Sequence, residues 1–424
     1  MTPRPIAWHV ARWGDDPWAG GSWSALAPGG SPADRARIGE PIDGRFVLAG
    51  DACNATQPSM AHGAFEDGRR AAAWARAVGA QRVVVIGAGF AGLGAARDLH
   101  DADVDVVVLE ARTRIGGRAH TVTLDGPDGH PSVRADAGAA WLQQGPSNSL
   151  ARLAEAWGVR TLPTDFHRPL AAAPGGPFGD VAAAHAALAA VCRAASPGAS
   201  LADVLPGYLD GLDMPARRDA QHAIDLEIDL ENGAAHDRLS AHTVFDEPGV
   251  GVADRWLPDG YAALQARLAD GVDIRLDRAV QRVEWDAAGV RVETAAPGGD
   301  EVEQADVCIC TVPAWLAPRL TLSPGLTAGH LDAIGRLAVG RVEKVILRFD
   351  ERWWPVAPSG YLRWYDHPAS WGEWLDLTDG VGAPVVAGLI AADAVVRHHA
   401  GRSDEDVASA AADALARWAA AGPR

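Results

Sequence analysis

Arg82-Val-Val-Val-Ile86, followed at once by Gly87-Ala-Gly89-Phe-Ala-Gly92, is the stretch that decides the fold. The first five residues form a short apolar, β-branched run suited to a buried parallel strand. The glycines then open a helical pattern through Leu93, Ala96 and Leu99. In that context each glycine has a use. The first permits a tight turn, the second lets backbone approach a pyrophosphate, and the third allows close helix packing, with the diphosphate resting on the helix N-terminus. A second apolar strand, Val104-Asp-Val-Val-Val-Leu109, ends in Glu110. That spacing is close to the interval of about 20 residues at which an acid meets ribose hydroxyls. Strand, helix and terminal acid together predict dinucleotide binding over a glycine-rich structural turn.

An acid at position 110 argues against a cofactor with a 2′-phosphate but leaves NAD and FAD open. The residues after it decide. Glu110-Ala111-Arg112-Thr-Arg114-Ile-Gly116-Gly117-Arg118 sets a second glycine pair beside guanidiniums that can hydrogen-bond a diphosphate in bidentate fashion. With this segment the chain resembles the flavin-containing amine oxidase family, whose members include monoamine oxidases, polyamine oxidases, histone demethylases and L-amino-acid oxidases. The resemblance implies FAD, with Gly87, Gly89, Phe90, Ala91 and Gly92 of the fingerprint, then Glu110, Ala111, Arg112, Gly117 and Arg118, among the cofactor-binding residues.

Further stretches match the same family. Asp136-Ala-Gly138-Ala139-Ala140-Trp141 resembles the segment that passes the flavin ring. Trp256-Leu-Pro-Asp-Gly260-Tyr261 resembles the glycine turn before the chain returns to the nucleotide domain. Val280-Gln-Arg-Val283 is similar to the adenine-contacting strand, and Asp306-Val-Cys-Ile-Cys310-Thr-Val-Pro313 to the strand and proline that leave that domain. Two pieces stand out of order. Residues 5–23, rich in tryptophan, and Gly50-Asp51 through Ala61-His62-Gly63 to Gly68 resemble the family's C-terminal end, yet here they begin the chain. Ser403 to Trp418 reads as a capped amphipathic helix ending in Gly422-Pro423, which the family follows with the segment found here at residues 5–23. The expectation is a circular permutation whose old join lies between Arg424 and Met1. At the new join a helix from about Gly63 to Val78 meets the fingerprint strand through Gly79-Ala80-Gln81, an ordinary αβ connection. Permutation is tolerated where chain ends lie close together and exposed. Fusion of two unrelated fragments is the alternative.

The expected fold class is α/β, a Rossmann-like FAD-binding domain plus a mixed-sheet and helical substrate domain, circularly permuted. The FAD-binding domain is expected over residues 31–158 and 253–318. The substrate domain takes residues 1–30, a helical insert over 159–252, and 319–424. A chain of 424 residues accommodates two or three domains and a sizeable core. Its formal charge of −17 disfavours nucleic acid and anionic membrane as partners. No apolar stretch approaches the length of a membrane span, and no signal segment opens the chain, so a cytoplasmic protein without the membrane anchor of some relatives is expected. Cys53, Cys192, Cys308 and Cys310 show no metal spacing, and the pair at 308 and 310 reads as small buried side chains on one strand face. Adjacent His398 and His399 point apart on a helix, which disfavours a metal site.

Lys344 is the strongest single-residue signal, because it is the one lysine among 38 Lys and Arg residues. It lies in the strand pattern Gly340-Arg-Val-Glu-Lys344-Val-Ile-Leu-Arg-Phe349, sharing a face with Val342 and Ile346, which predicts partial desolvation. Arginine is always charged and cannot serve where a shifted lysine pKa is needed. Chance survival in an arginine-biased chain is the alternative. The resemblance assigns Lys344 the family's lysine, which holds a water against flavin N5. It also aims the helix start at Ala61 toward flavin N1 and C2=O and gives Asp51 a ribityl hydroxyl. Gly50, Ser22, Trp23, Ala139, Ala140, Trp141, Val280 and Pro313 complete the cofactor site that it implies. Ser22 stands where covalently flavinylated relatives carry cysteine, so FAD is expected to be non-covalent.

For the substrate, the two aromatic rings that flank the amine in monoamine oxidases correspond here to Trp23 and Met60. Gln143 and Tyr361 are further candidate substrate-binding residues. Gln144 follows Gln143, and no acid cluster for polyamines is recognisable. The resemblance implies hydride transfer from the α-carbon of a small hydrophobic or aromatic amine, or such an amino acid, to flavin N5. The imine is released, and O2 gives hydrogen peroxide. Two alternatives stay open: a carbon–carbon desaturase using the same flavin, and a non-catalytic flavin-binding partner protein.

Overall fold

The fingerprint strand is the middle of a five-stranded parallel sheet. In a computed structural model describing residues 2–126, 130–176, 179–246, 253–368 and 370–423, the strand order is Asp273–Arg275, Asp105–Leu109, Arg82–Ile86, Val307–Cys310, Phe46–Leu48. Alternating side chains of these strands serve two layers. Val83, Val85, Val106, Val108, Val307 and Ile309 pack against helices Ala61–Ala77 and Phe90–His100. Val84, Ile86, Val107, Leu109, Cys308 and Cys310 face an antiparallel sheet of Ala279–Asp286, Gly289–Ala295 and Glu301–Ala305. A strand covered on both faces carries no polar alternation, which explains the unbroken valine runs. The two thiols share one buried face, and burial pushes Cys310 up to about 12.

The helices on the first layer cross at their smallest residues. A Cβ on Gly68 would lie 1.9 Å from the Ala91 carbonyl oxygen, and one on Gly94 would lie 2.7 Å from that of Phe65. Any side chain at Gly68 therefore forces the two helices apart. The helix before the fingerprint runs Ala61–Ala77, two residues longer at its start than the sequence predicts. It reaches the fingerprint strand through a turn in which Gly79 has φ +78°.

A second sheet has six strands in the order Ala7–Val10, Val342–Arg348, Val385–Ala391, Glu373–Asp376, Tyr361–Trp364, Leu170–Ala172. The helix Asp404–Ala420, capped by Ser403, lays Val407, Ala411, Leu415 and Trp418 on one face. The first eighty residues thus add an edge strand to the six-stranded sheet and to the parallel sheet: Ala7–Val10 beside Val342–Arg348, and Phe46–Leu48 beside Val307–Cys310. Arg4 donates to Ser409 Oγ at 2.6 Å on the terminal helix. Met1 and Arg424, between which the sequence sets its old join, lie outside the described residues. The insert between the domains differs from the expected run of helices. Leu170–Ala172 leaves it to pair in the six-stranded sheet, and Asp225–Leu230 forms a π-turn.

Candidate active site

The C-terminal end of the fingerprint strand opens into a cavity of about 870 Å3 that extends to the strand Val342–Arg348 of the other sheet. The three glycines divide the work at its nucleotide end. Gly87 turns with φ +98°, and a Cβ there would meet Thr311 Oγ1 at 2.6 Å. On Gly92 a Cβ would lie 1.8 Å from the Gly87 carbonyl oxygen, so this residue locks helix to turn and does not itself line the cavity. Gly89 caps the helix Phe90–His100 and has nothing within 4 Å of a Cβ position. That open space beside a helix N-terminus is a cradle for a phosphate group.

Phe90, Ala91, Glu110, Ala111, Arg112, Gly117 and Arg118 line the same end, as do Val280 and Pro313. The Glu110 carboxylate is buried and accepts the N–H groups of Ala88 at 2.7 Å and Arg112 at 2.9 Å, which ties both strand ends together. The guanidiniums that the sequence offers to a diphosphate each have partners within the protein. Arg112 forms a two-point ion pair with Asp16 at 2.7 and 2.8 Å, and Arg114 donates to the carbonyls of Ile115 and Gly117. Arg118 donates to Asp51 at 2.5 Å and to the Ser22 carbonyl at 2.8 Å, and stacks over the Trp315 ring. Asp16, Ser22 and Asp51 come from the N-terminal segment, so it closes on the loop 110–118 through two charge pairs, Arg112–Asp16 and Arg118–Asp51.

At the far end Ser22, Trp23, Gly50, Asp51, Ala61, Ala139, Ala140 and Trp141 line the wall. The helix Ala61–Ala77 begins there behind Met60, with no side chain capping its first N–H groups. Ser22 Oγ accepts from Val342 N–H at 3.1 Å. Lys344 is buried on a strand covered on both faces, a fuller desolvation than the sequence predicts. Its Nζ donates to the carbonyls of Gly138 at 2.7 Å and Asp136 at 3.0 Å and sits 4.9 Å from the Trp141 ring centre. Burial lowers its pKa to about 8, against the opposing pull of Asp136. Burial likewise raises Asp136 to about 6, although its carboxylate accepts from Thr121 Oγ1 at 2.6 Å and Tyr261 N–H at 3.1 Å.

Trp23, Met60, Gln143 and Tyr361 all reach the cavity wall. The Trp23 indole N–H donates to the Glu231 carbonyl at 2.8 Å, which fixes the ring's angle. Trp141 and Tyr361 are stacked, 6.2 Å apart and 11° from parallel. Gln144 is turned away in a left-handed conformation, its N–H on Asp254. Trp371 is fully buried core, while Trp364 lines a different cavity.

Other wall residues carry no signal in the sequence: Phe166, Leu230, Asn232 and Leu389, and the acids Glu227, Glu231, Glu373 and Asp254. The acids are scattered along the chain, so no local cluster announces them. Glu373 is already paired with Arg363 at 2.9 Å, and Glu227 faces His185 at 3.9 Å. Among the described residues no group of three or more His, Cys, Asp or Glu forms a metal site, and no helix is long and apolar enough to cross a membrane.

Comparison with known proteins gives two family matches. Residues 2–74 and 220–424 match the flavin containing amine oxidoreductase family, and residues 85–157 match an NAD(P)-binding Rossmann-like domain. The chain is 29% identical over 334 residues to a lysine-specific histone demethylase 1 homolog 3 of Oryza sativa subsp. japonica, covering 74% of this chain and 41% of that protein. To polyamine oxidase 4 of the same plant it is 28% identical over 341 residues, covering 73% of this chain and 67% of that one. The chain thus spans about two fifths of the demethylase homologue's length. Among solved structures, putrescine oxidase bound to putrescine superposes with a TM-score of 0.64 at 21% identity. Cyclohexylamine oxidase from Brevibacterium oxydans IH-35A superposes at 0.61 and 23%. Each covers 81% of this chain and 83% of the other, a likeness of fold. The chain belongs to the flavin containing amine oxidoreductase family, and the cofactor its glycine cradle is built for is FAD.

Proposed function

We propose that the protein oxidises a small hydrophobic or aromatic amine, or an amino acid carrying such a group, converting R–CH2–NH2 and O2 to R–CH=NH and hydrogen peroxide. One observation carries this reading: the chain's single lysine is buried against the aromatic end of a cavity whose other end is the glycine cradle. When bound, FAD supplies the two-electron acceptor. Trp23 and Met60 flank the amine, one an aromatic wall held by its bond to Glu231 and the other a flexible thioether. The stacked Trp141 and Tyr361 keep bulk water from the reacting carbon. Two of the three ammonium protons of Lys344 are held by carbonyls, so the third is left for a water or a reaction partner. The helix N-terminus at Ala61 carries about half a positive charge, worth ~0.3–2 kcal/mol beside an anion. It favours a site that accepts negative charge.

Anaerobic mixing of the FAD-loaded protein with a panel of amines and non-amine hydrocarbons tests the reaction. Bleaching of the flavin by at least one amine is expected. Bleaching only by a non-amine moves the reading to a carbon–carbon desaturase, and no bleaching at all moves it to a non-catalytic flavoprotein.

We also propose that the chain order is a circular permutation. Support comes from the two edge strands contributed by residues 1–80 and from family matches that flank the Rossmann-like match on both sides. A rearranged chain starting at Gln81, with Arg424 joined to Met1, is expected to fold and take up FAD with unchanged affinity. A rearranged chain that folds but takes up no FAD would count against it.

A further inference from the structure

A second cavity, of about 610 Å3, lies behind the π-turn Asp225–Leu230. Two residues, Leu230 and Leu389, line both this chamber and the one described above. The partition is therefore partly two aliphatic side chains, one of them on a turn of irregular hydrogen-bond register, a feature often found at functional sites.

Next to the partition the chamber wall is apolar, formed by Leu226, Ile390 and Ala391. On the same chamber's wall His222 is 4% exposed, and its Nδ1 has no hydrogen-bond partner. Burial lowers its pKa to about 4, with the Arg363 and Arg218 charges adding to the effect, so the ring is a neutral donor or acceptor. A buried ring nitrogen without a partner is destabilising unless a ligand or water meets it. The π-turn's two aspartates on this side are engaged: Asp229 with His236 at 2.7 Å, and Asp225 with His367 at 3.0 Å. The chamber thus offers an apolar stretch beside the partition and a neutral hydrogen-bonding group, with Asp393, Arg217 and Arg397 also on its wall.

We propose that this chamber receives the distal part of the amine substrate, an aliphatic chain that passes between Leu230 and Leu389 and ends in a neutral hydrogen-bonding group against His222. This rests on the amine reading of the first cavity. Leucine side chains exchange rotamers readily, so the partition opens without backbone movement and bars water when the chain is absent.

The test is calorimetric titration of the FAD-loaded protein under argon with n-alkylamines from butyl to dodecyl and the matching ω-amino alcohols. Two variants accompany it. Ala235→Trp fills the chamber from an exposed position that is not itself part of the first cavity's lining, and His222→Phe removes the hydrogen-bonding ring. In the unmodified protein, affinity is expected to keep rising about fourfold per methylene beyond the length at which Ala235→Trp levels off, with short amines unaffected. A terminal hydroxyl adds about fivefold at one chain length, and His222→Phe abolishes that gain. The proposal is overturned if long amines bind Ala235→Trp as they bind the unmodified protein, or if both level off at the same length. If short amines bind and this pattern is missing, only the chamber assignment is lost. If no amine of any length binds, the amine reading falls and takes the chamber with it.

Discussion

Lys344→Met slows the reaction of the reduced, FAD-loaded protein with O2 by at least about 100-fold, the lower end of what a positioned proton donor contributes. Methionine keeps the aliphatic length that fills the space beside Val342 and Ile346 but carries no proton and no charge. Stopped-flow mixing of the reduced protein with oxygenated buffer measures the effect, and an unchanged rate removes the role. The same variant has a second readout that is independent of turnover. Burial lowers Lys344 to about 8, against an ordinary value of 10.5. Between those values the unfolded chain holds a proton that the folded one has released, so raising the pH favours the folded state. The slope approaches about 1.4 kcal/mol per pH unit and sums to roughly 3 kcal/mol. Above pH 10.5 the relief is complete, and below pH 8 it is lost. Lys344→Met lacks this term. From pH 7.5 to pH 10 the denaturation midpoint of the unmodified protein should therefore rise relative to that of Lys344→Met, and parallel profiles would show that the ammonium is not desolvated.

Gly89→Ala and Gly92→Ala separate cofactor binding from folding. At Gly89 the backbone is extended, at φ −75° and ψ −177°, and a methyl group meets no protein atom within 4 Å. The apo-protein should melt as the unmodified one does, yet FAD affinity should fall on the order of 100-fold, about 2.7 kcal/mol, because the methyl occupies the cradle. Gly92→Ala places its methyl 1.8 Å from the Gly87 carbonyl oxygen, a clash with backbone that only a shift of the helix relieves. This variant should lose both FAD and thermal stability. Titration followed by flavin fluorescence, with melting curves of the apo forms, checks both. A Gly89→Ala protein that binds FAD normally would mean that the open space beside the helix is not the phosphate cradle.

These two sites were the legible ones, for different reasons. The glycine fingerprint is local: strand, turn and helix lie within residues 82–100, and φ/ψ demands and side-chain periodicity are written residue by residue. Lys344 stood out because a residue type used once in 424 positions has no compositional background. The expectation that Trp23 and Met60 reach the cavity wall came through family resemblance, since nothing in their own neighbourhoods says what they face.

By itself, the order of residues determined the nucleotide domain, the FAD cradle, the position of the buried lysine and the close helix packing at Gly92. Tertiary structure alone decided how the cavity closes. Arg112 finds Asp16 across 96 positions, and Trp23 finds the Glu231 carbonyl across 208, pairings that no periodicity encodes. It alone also set Leu230 and Leu389 on the walls of both cavities and left His222 Nδ1 without a hydrogen-bond partner. The reason is physical. Local sequence fixes backbone geometry within an element, whereas walls, charge pairs and voids arise where two independently formed sheets meet and their side chains must share one space.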